Sequence, residues 1–332
     1  MNEVLNSGAK DATPALLALD WGTSSLRAFL MDASGRVTDQ RTNAHGILNL
    51  PEPGVPGFER AFGDACGDWL KRWPGLPVVA GGMVGSAQGW KEAPYVTCPA
   101  DTHTLASHAI WIDSALGARI LMAPGVIYAP ADGAPDVIRG EEIQIAGALA
   151  LHPEWSRRAC VALPGTHSKW VQVTDGRIEY FATYMTGELF AVLSRHSILG
   201  RLMPDDAQPA ADDADAAFLA GVAAAKASLP GDLPHQLFAT RSLGLTRRLA
   251  GAVLKDYLSG LLIGHELVSG LARMHGTLAG HTPLLLIGEQ TLCRRYVRAL
   301  GSLGVEPTAQ LDNTAPQGLF RFAAAAGLLT LP

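Results

Sequence analysis

The chain has 332 residues, 48% apolar and 17% charged, which excludes a disordered chain and suits two domains better than one. Its 26 basic and 31 acidic residues leave a net charge of −5, so nucleic acid and anionic membrane lack the basic face they need and are excluded as partners. The four cysteines, Cys66, Cys98, Cys160 and Cys293, form no C-x-x-C pair, which argues against a disulfide framework or a zinc site and for reduced thiols in a cytoplasmic protein.

Met1–Thr13 is polar and reads as a frayed tail rather than a signal peptide. Ala15–Leu19 is a short apolar run ending at Asp20, and Leu26–Met31 and Arg36–Asn43 follow it. With Asp32-Ala33-Ser34-Gly35 as a turn, the spacing predicts three strands joined by tight connections. Phe58, Phe62, Ala65, Trp69 and Trp73 recur at helical spacing with charged residues between them, which predicts an amphipathic helix. Leu76–Ala80 and Ile120–Ala123 read as buried strands, and Asp136–Leu151 as a helix. The order then repeats. Cys160–Leu163, Trp170–Val173 and Arg177–Ala182 are strands, a helix runs from Thr186 to about Leu199, and Arg201–Asp215 is a loop or insertion. Val253–Met274 reads as a long helix, interrupted by Lys255, Asp256, His265 and Glu266 and therefore unable to span a bilayer. Leu284–Ile287 is a strand, Thr291–Leu300 a helix with Arg294, Arg295 and Arg298 outward, and Ala315–Leu329 a closing helix. Strand–strand–strand–helix–strand–helix, occurring twice, is a duplicated α/β plan.

Each half opens with a strand that enters a short polar loop and returns as a strand. The first loop is Asp20-Trp21-Gly22-Thr23-Ser24-Ser25-Leu26-Arg27, the second Pro164-Gly165-Thr166-His167-Ser168-Lys169. Gly22 and Gly165 let successive N–H groups and hydroxyls turn inward, a donor set that suits phosphate oxygens, while Arg27 and Lys169 add positive charge. Asp20 is placed to hold a hydrated Mg²⁺, which needs few protein ligands. Either loop alone is equally well read as a hairpin turn; two at matching places are harder to ascribe to chance. No G-x-x-x-x-G-K-[ST], G-x-G-x-x-G, H-E-x-x-H or G-x-S-x-G occurs. Arg139-Gly140-Glu141-Glu142 opens a helix, where acidic residues complement the dipole or one reaches a substrate as general base. Gly81–Trp90 is glycine-rich and reads as a flexible connection or, with Tyr95, as a substrate wall. Met185-Thr186-Gly187-Glu188 resembles a helix start, and Gly288-Glu289 follows a buried strand where a glycine admits adenine or a helix.

Together with Leu17–Ala28, these segments resemble the 2-dehydro-3-deoxygalactonokinase family: Gly82–Ser86, Gly89–Tyr95, Arg139–Glu142, Pro164–Val171, Met185–Leu189 and Leu258–Gly264 match it in register, between Leu16 and Leu329. The resemblance implies the actin-like ATPase and sugar-kinase superfamily, an α/β fold of two ribonuclease-H-like domains flanking an interdomain cleft. The domains expected are 14–156, with the first phosphate loop and the sugar-acid loop, and 157–332, with the second phosphate loop and the adenosine site. It implies transfer of the ATP γ-phosphoryl group to the 6-hydroxyl of 2-dehydro-3-deoxy-D-galactonate in galactonate breakdown. Phosphates would then meet Gly22, Thr23, Ser24, Arg27, Gly165, Thr166, His167, Ser168 and Lys169; adenosine would meet Gly288 and Glu289. The sugar acid would meet Met83, Gly85, Ser86, Trp90, Thr186 and Glu188. In related glycerol- and xylulose-type kinases the base opens a helix in a Gly-Asp-Gln-Gln pattern. Gly140-Glu141-Glu142-Ile143 occupies the similar place with Glu for Asp, which makes Glu141 the candidate base and Asp20 the metal ligand.

Two other enzymes fit the same loops: a kinase for another sugar or sugar acid, and a polyphosphatase-type hydrolase in which Glu141 activates water. A non-catalytic nucleotide switch is the third alternative, disfavoured because it needs no acceptor loop. Arg27, Lys91 and Lys169 are the cations the sequence offers to the acceptor's carboxylate, and a homo-oligomer is left open.

Overall fold

The computed structural model describes residues 13–278 and 282–329, so the expected frayed tail lies, apart from Thr13, outside the described residues. Among the described residues fourteen strands and ten α-helices follow one another in this order. The first part contains β1 (Leu16–Trp21), β2 (Leu26–Met31), β3 (Val37–Asn43), α1 (Val55–Arg72), β4 (Val78–Gly81), β5 (Tyr95–Thr97), α2 (Thr102–Ser107), β6 (Ile110–Asp113), β7 (Arg119–Met122), β8 (Gly125–Tyr128), β9 (Asp136–Ile138) and α3 (Glu141–Leu151). The second contains β10 (Arg158–Leu163), β11 (Ser168–Thr174), β12 (Arg177–Tyr184), α4 (Thr186–His196), α5 (Ala211–Lys226), α6 (Leu233–Leu245), α7 (Leu254–Arg273), α8 (His275–Leu278), β13 (Leu284–Ile287), α9 (Gln290–Ser302), β14 (Ala309–Leu311) and α10 (Ala315–Ala325). Among the described residues no helix is long and apolar enough to cross a membrane.

The two large sheets carry the duplication. One has the order β3-β2-β1-β4-β7-β6, the other β12-β11-β10-β13-β14. With β5 and β6 left out of the numbering, the first five strands of the first sheet read third, second, first, fourth, fifth within their half, as the second sheet does within its own. β1 runs antiparallel to β2 and parallel to β4, which is parallel to β7. In the second sheet β10 is parallel to β13 and β13 to β14. The antiparallel edge strand β6 and the small sheet β5-β8-β9 are additions to the first half. This is the paired ribonuclease-H-like plan of the actin-like sugar kinases.

The chain divides into two compact units. One comprises the chain up to Arg157, the hairpin tip Val173–Tyr180 and the segment from Asn313 onward; the other comprises Arg158–Gln172 and Phe181–Asp312. The closing helix α10, placed by the sequence reading with everything after residue 156, thus belongs to the first unit. Its Thr314 hydroxyl donates to the carbonyl of Gln144 in α3 at 2.6 Å, and Leu319 and Phe322 are fully buried.

Other departures from the sequence reading have local causes. The expected helix from Asp136 starts only at Glu141. Asp136–Ile138 pairs antiparallel with β8, and Gly140 has φ 108°, which no helix interior tolerates. Helix α5 begins inside the segment read as a loop: Ala is the strongest helix former yet marks no apolar period, and Asp212 and Asp213 suit the first turn. Arg295 turns from the outward face of α9 to pair with Asp256 of α7 at 2.5 Å.

The first unit's core sets one proposed substrate residue aside. Trp90 is 8% exposed and lies 5.8 Å from Trp21, 5.9 Å from Phe58 and 5.9 Å from Phe62, ring centre to ring centre. Its place is the aromatic core between β1 and α1, not a wall open to ligand. Trp90→Ala is therefore expected to cost about 3–5 kcal/mol of stability, read by denaturant unfolding. Trp90→Phe is expected to leave the KM of any acceptor unchanged; a raised KM with unchanged stability would return the residue to the substrate.

Candidate active site

In the first unit, β1 delivers Asp20 and Trp21 to the loop. The Gly22 N–H donates to the Ser25 carbonyl at 2.9 Å, closing a tight hairpin that leaves Thr23 and Ser24 exposed. The loop is braced from behind: Ile47 and Leu48 N–H groups donate to the Gly22 and Thr23 carbonyls at 3.1 Å each. The Trp21 indole donates to the His45 carbonyl at 2.8 Å. Its outer groups are thus held in place while remaining accessible.

Asp20 stands opposite Arg27 in the β1–β2 register, and Arg27 Nη1 meets its Oδ2 at 3.2 Å. Asn313, at the head of α10, donates to the same oxygen at 3.4 Å. Burial raises the Asp20 pKa, Arg27 and Asn313 pull it back, and the negative charge of Glu141 pushes it up again. Asp20 and Glu141 therefore feel each other's charge.

Helix α3 reaches that position because backbones meet there. Gly82 has φ 97°, and a Cβ on it would stand 2.8 Å from the Trp21 carbonyl oxygen. A Cβ on Gly140 would stand 3.3 Å from the Gly82 Cα. Only glycine fits at these two points, and their contact sets the start of α3 against the ends of β1 and β4. The Arg139 N–H then donates to Glu141 Oε2 at 2.9 Å, and the Gly140 N–H to both oxygens of Glu142, at 2.9 and 2.7 Å.

The two glutamates part company here. Glu141 is half-buried and acts on Asp20. Glu142 is 1% exposed, and burial, followed by the neighbouring Glu141 charge, pushes its pKa up to about 8. It borders a different cavity of about 480 Å³, lined also by Ala100, Asp101, Ala146, Ala150 and Arg321. A carboxyl that holds its proton at neutral pH is a poor base, which favours Glu141. On the glycine-rich loop Met83 is half-buried, Gly85 is buried, and Ser86 has a buried hydroxyl without a partner.

In the second unit, Gly165, Thr166 and His167 form the accessible part of the loop, whereas Ser168 and Lys169 are buried. Ser168 Oγ accepts weakly from the Gly165 N–H at 3.4 Å and shares a hydrogen bond with the Tyr296 hydroxyl at 3.0 Å. Lys169 Nζ donates to the His167 carbonyl at 2.9 Å. The loop is also tied to the start of α4. The Glu188 N–H donates to the Thr166 carbonyl at 3.0 Å, and its carboxylate meets His167 Nε2 at 2.5 Å.

Behind both lies Glu266 of α7, 2% exposed, which accepts from Trp170 Nε1 at 3.0 Å, Thr186 Oγ1 at 2.5 Å and Tyr296 OH at 2.6 Å. Burial raises its pKa and these donors oppose the rise. Thr186 and Ser168 are thus scaffold around the loop. A cavity of about 330 Å³ joins Gly165 to Glu289, walled by Phe190, Leu262, Leu292 and Tyr296. Glu289 accepts from the Thr291 and Leu292 N–H groups at 2.8 Å each, which caps α9 and lowers its pKa. Gly288 precedes it with its N–H donated to the Leu311 carbonyl.

Asn313, Glu266 and Tyr296 escaped the sequence reading. For Glu266 a signal existed: a carboxylate inside the apolar stretch after Leu258 must find donors when buried. For Asn313, which meets Asp20 across 293 residues of chain, there was none.

Comparison with known proteins follows this geometry. Residues 20–322 match the family described as 2-keto-3-deoxy-galactonokinase. The 2-dehydro-3-deoxygalactonokinase of Escherichia coli (strain K12) is 35% identical over 311 residues, covering 93% of this chain and 97% of that one. A relative in Rhizobium meliloti (strain 1021), assigned the same activity, is 37% identical over 303 residues, 91% of this chain and 94% of that one. A crystal structure of a Sinorhizobium meliloti protein assigned to the same kinase superposes with a TM-score of 0.79 at 33% identity, covering 93% of this chain and 98% of that one.

The buried Glu142 generates a pH prediction. Its folded pKa of about 8 lies above the ordinary 4.5, so between these values the unfolded chain releases a proton that the folded chain keeps. Stability contributed by this carboxyl is full below pH 4.5 and falls as pH rises towards 8. Glu142→Gln keeps a carbonyl for the Gly140 N–H and has no proton to lose. Its Tm is expected to gain on wild type by several degrees between pH 5 and 8; a difference independent of pH would refute the raised pKa.

Proposed function

This chain belongs to the 2-keto-3-deoxy-galactonokinase family, and from that premise we propose that it transfers the γ-phosphoryl group of ATP to the 6-hydroxyl of 2-dehydro-3-deoxy-D-galactonate. The observation that carries the mechanism is that the Glu141 charge acts on Asp20 beside the Gly82–Gly140 contact, one carboxylate on a phosphate-type loop and one at a helix start.

The Gly22–Arg27 loop of the first unit and the Gly165–Lys169 loop of the second each offer exposed hydroxyls and N–H groups to phosphate oxygens. No neighbouring atom of the fold crowds a Cβ at either Gly22 or Gly165, which leaves the backbone of both loops open to close approach by a ligand. The 330 Å³ cavity starting at Gly165 takes the nucleoside. Its apolar walls suit a flat base, and its volume falls in the ordinary range for small ligands, about 300–1,000 Å³.

Glu141 accepts the proton of the 6-hydroxyl as the oxygen attacks phosphorus. Its carboxylate is oriented by the Arg139 N–H, so little reorganisation is needed when the hydroxyl arrives. The donor set also fits Mg²⁺: Asp20 is a half-buried carboxylate that feels a second negative charge, an arrangement a divalent cation would relieve. Mg²⁺ would neutralise the phosphate charge there. Arg27 and Asn313 hold Asp20 in place for it. The four cysteines are free, and burial raises the pKa of each thiol, so none is offered as a nucleophile.

A coupled assay of acceptor-dependent ADP release tests the scheme. Glu141→Gln is expected to lower kcat by roughly 10²–10⁴ with the KM for ATP little changed, the usual worth of a positioned base. Near-normal turnover in that variant would take the proton away from Glu141. Asp20→Asn is expected to abolish Mg²⁺-dependent turnover, and an active variant would refute its metal role.

A further inference from the structure

The fold leaves one buried cation half used. Arg139 is 8% exposed, its Nη2 donates to the Ala93 carbonyl at 2.9 Å, and its guanidinium carbon lies 4.3 Å from the centre of the Tyr95 ring. Its Nε and Nη1 are buried without a hydrogen-bond partner. Nη1 faces Gly85, where a Cβ would stand 3.1 Å away. The next residue, Ser86, carries another buried polar atom without a partner. A guanidinium keeps its proton in any protein environment, so burying it with two N–H groups unpaired is costly unless an anion completes it.

No carboxylate among the described residues supplies that anion. Glu142 feels the Arg139 charge but gives both oxygens to the Gly140 N–H, and Glu141 accepts from the Arg139 backbone instead. The cations read from the sequence as carboxylate partners are otherwise engaged. Arg27 pairs with Asp20, Lys91 is exposed and donates to the Trp111 carbonyl, and Lys169 donates to the His167 carbonyl in the other unit.

We propose that the Nε–Nη1 edge of Arg139, with the Ser86 hydroxyl, binds the carboxylate of the acceptor sugar acid. The inference rests on the kinase reading above and adds the group that distinguishes a sugar acid from a neutral sugar. Gly140, with φ 108°, separates Arg139 from Glu141 and sends the two side chains apart: Arg139 towards Gly85 and Tyr95, Glu141 towards Asp20. The acceptor carries its carboxylate and its reacting hydroxyl at opposite ends. One short segment thus serves both ends, with the glycine-rich loop lifting to admit the carboxylate. A planar guanidinium with two parallel N–H groups matches a carboxylate bidentately, which a lysine cannot do.

The test compares the sugar acid with its neutral carboxamide, by ADP release and by calorimetric binding, in wild type, Arg139→Met, Arg139→Lys and Ser86→Ala. Arg139→Met is expected to lose about 10²-fold or more in kcat/KM for the acid, the scale of an unpaired buried charge contact. The carboxamide should change only a few-fold, so discrimination between the two collapses while the KM for ATP holds. Arg139→Lys should restore part of it, and Ser86→Ala should weaken acid binding alone; these two variants decide the matter if Arg139→Met does not fold. Unchanged acid kinetics, or equal losses for acid and carboxamide, would overturn the proposal and leave Arg139 a brace for the loop. If wild type binds the acid through Arg139 without turning it over, the carboxylate site stands and the kinase reading falls. If wild type binds no sugar acid, both fall.

Discussion

The candidate site of the first unit depends on how closely three backbone segments approach one another. The end of β1, the turn after β4 and the start of α3 meet at Gly82 and Gly140, where a Cβ on either would press on main-chain atoms. Both glycines have positive φ, so the same positions supply the turn and the space. Asp20 is anchored on the strand and Glu141 on the helix, so their mutual charge is fixed by rigid elements rather than by loops. The Arg139 side chain, just before this contact, lies against Gly85 of the glycine-rich loop.

The second unit solves a different problem by a different means. Its loop must keep Gly165, Thr166 and His167 accessible, so rigidity comes from behind. Glu266 gathers an indole, a threonine hydroxyl and a phenol from β11, α4 and α9, and the buried Ser168 joins the same network through Tyr296. A fully satisfied buried carboxylate specifies one arrangement of three elements, since loss of any donor strands a polar group in a low-dielectric interior. Glu188 then ties His167 to the helix that starts beside it.

The buried ionisable groups thus fall into three chemical conditions. Glu266 is surrounded by donors. Glu142 escapes the cost of burial by keeping its proton. Asp20 and Arg139 are not fully matched: Asp20, paired with Arg27, also feels the Glu141 charge, and Arg139 has N–H groups with no acceptor. Groups left in that condition are candidates for completion by a ligand, and these two give the proposed mechanism and the proposed carboxylate site their places.

The amino-acid sequence by itself determined the duplicated α/β plan, because apolar runs broken by glycine-bearing loops recur in the same order; which strand lies beside which came from the fold. It also determined the two loops and the Arg-Gly-Glu-Glu segment, since those residue types are close along the chain and their chemistry is local. What only the tertiary structure decided were relations between distant residues: α10 joining the first unit, Asn313 reaching Asp20, and Trp90 turning into the aromatic core. The difference between Glu141 and Glu142 belongs there too. Adjacent in sequence and alike in chemistry, they differ only in burial and in the charges around them, and both are set by how the helix start packs on the strand ends.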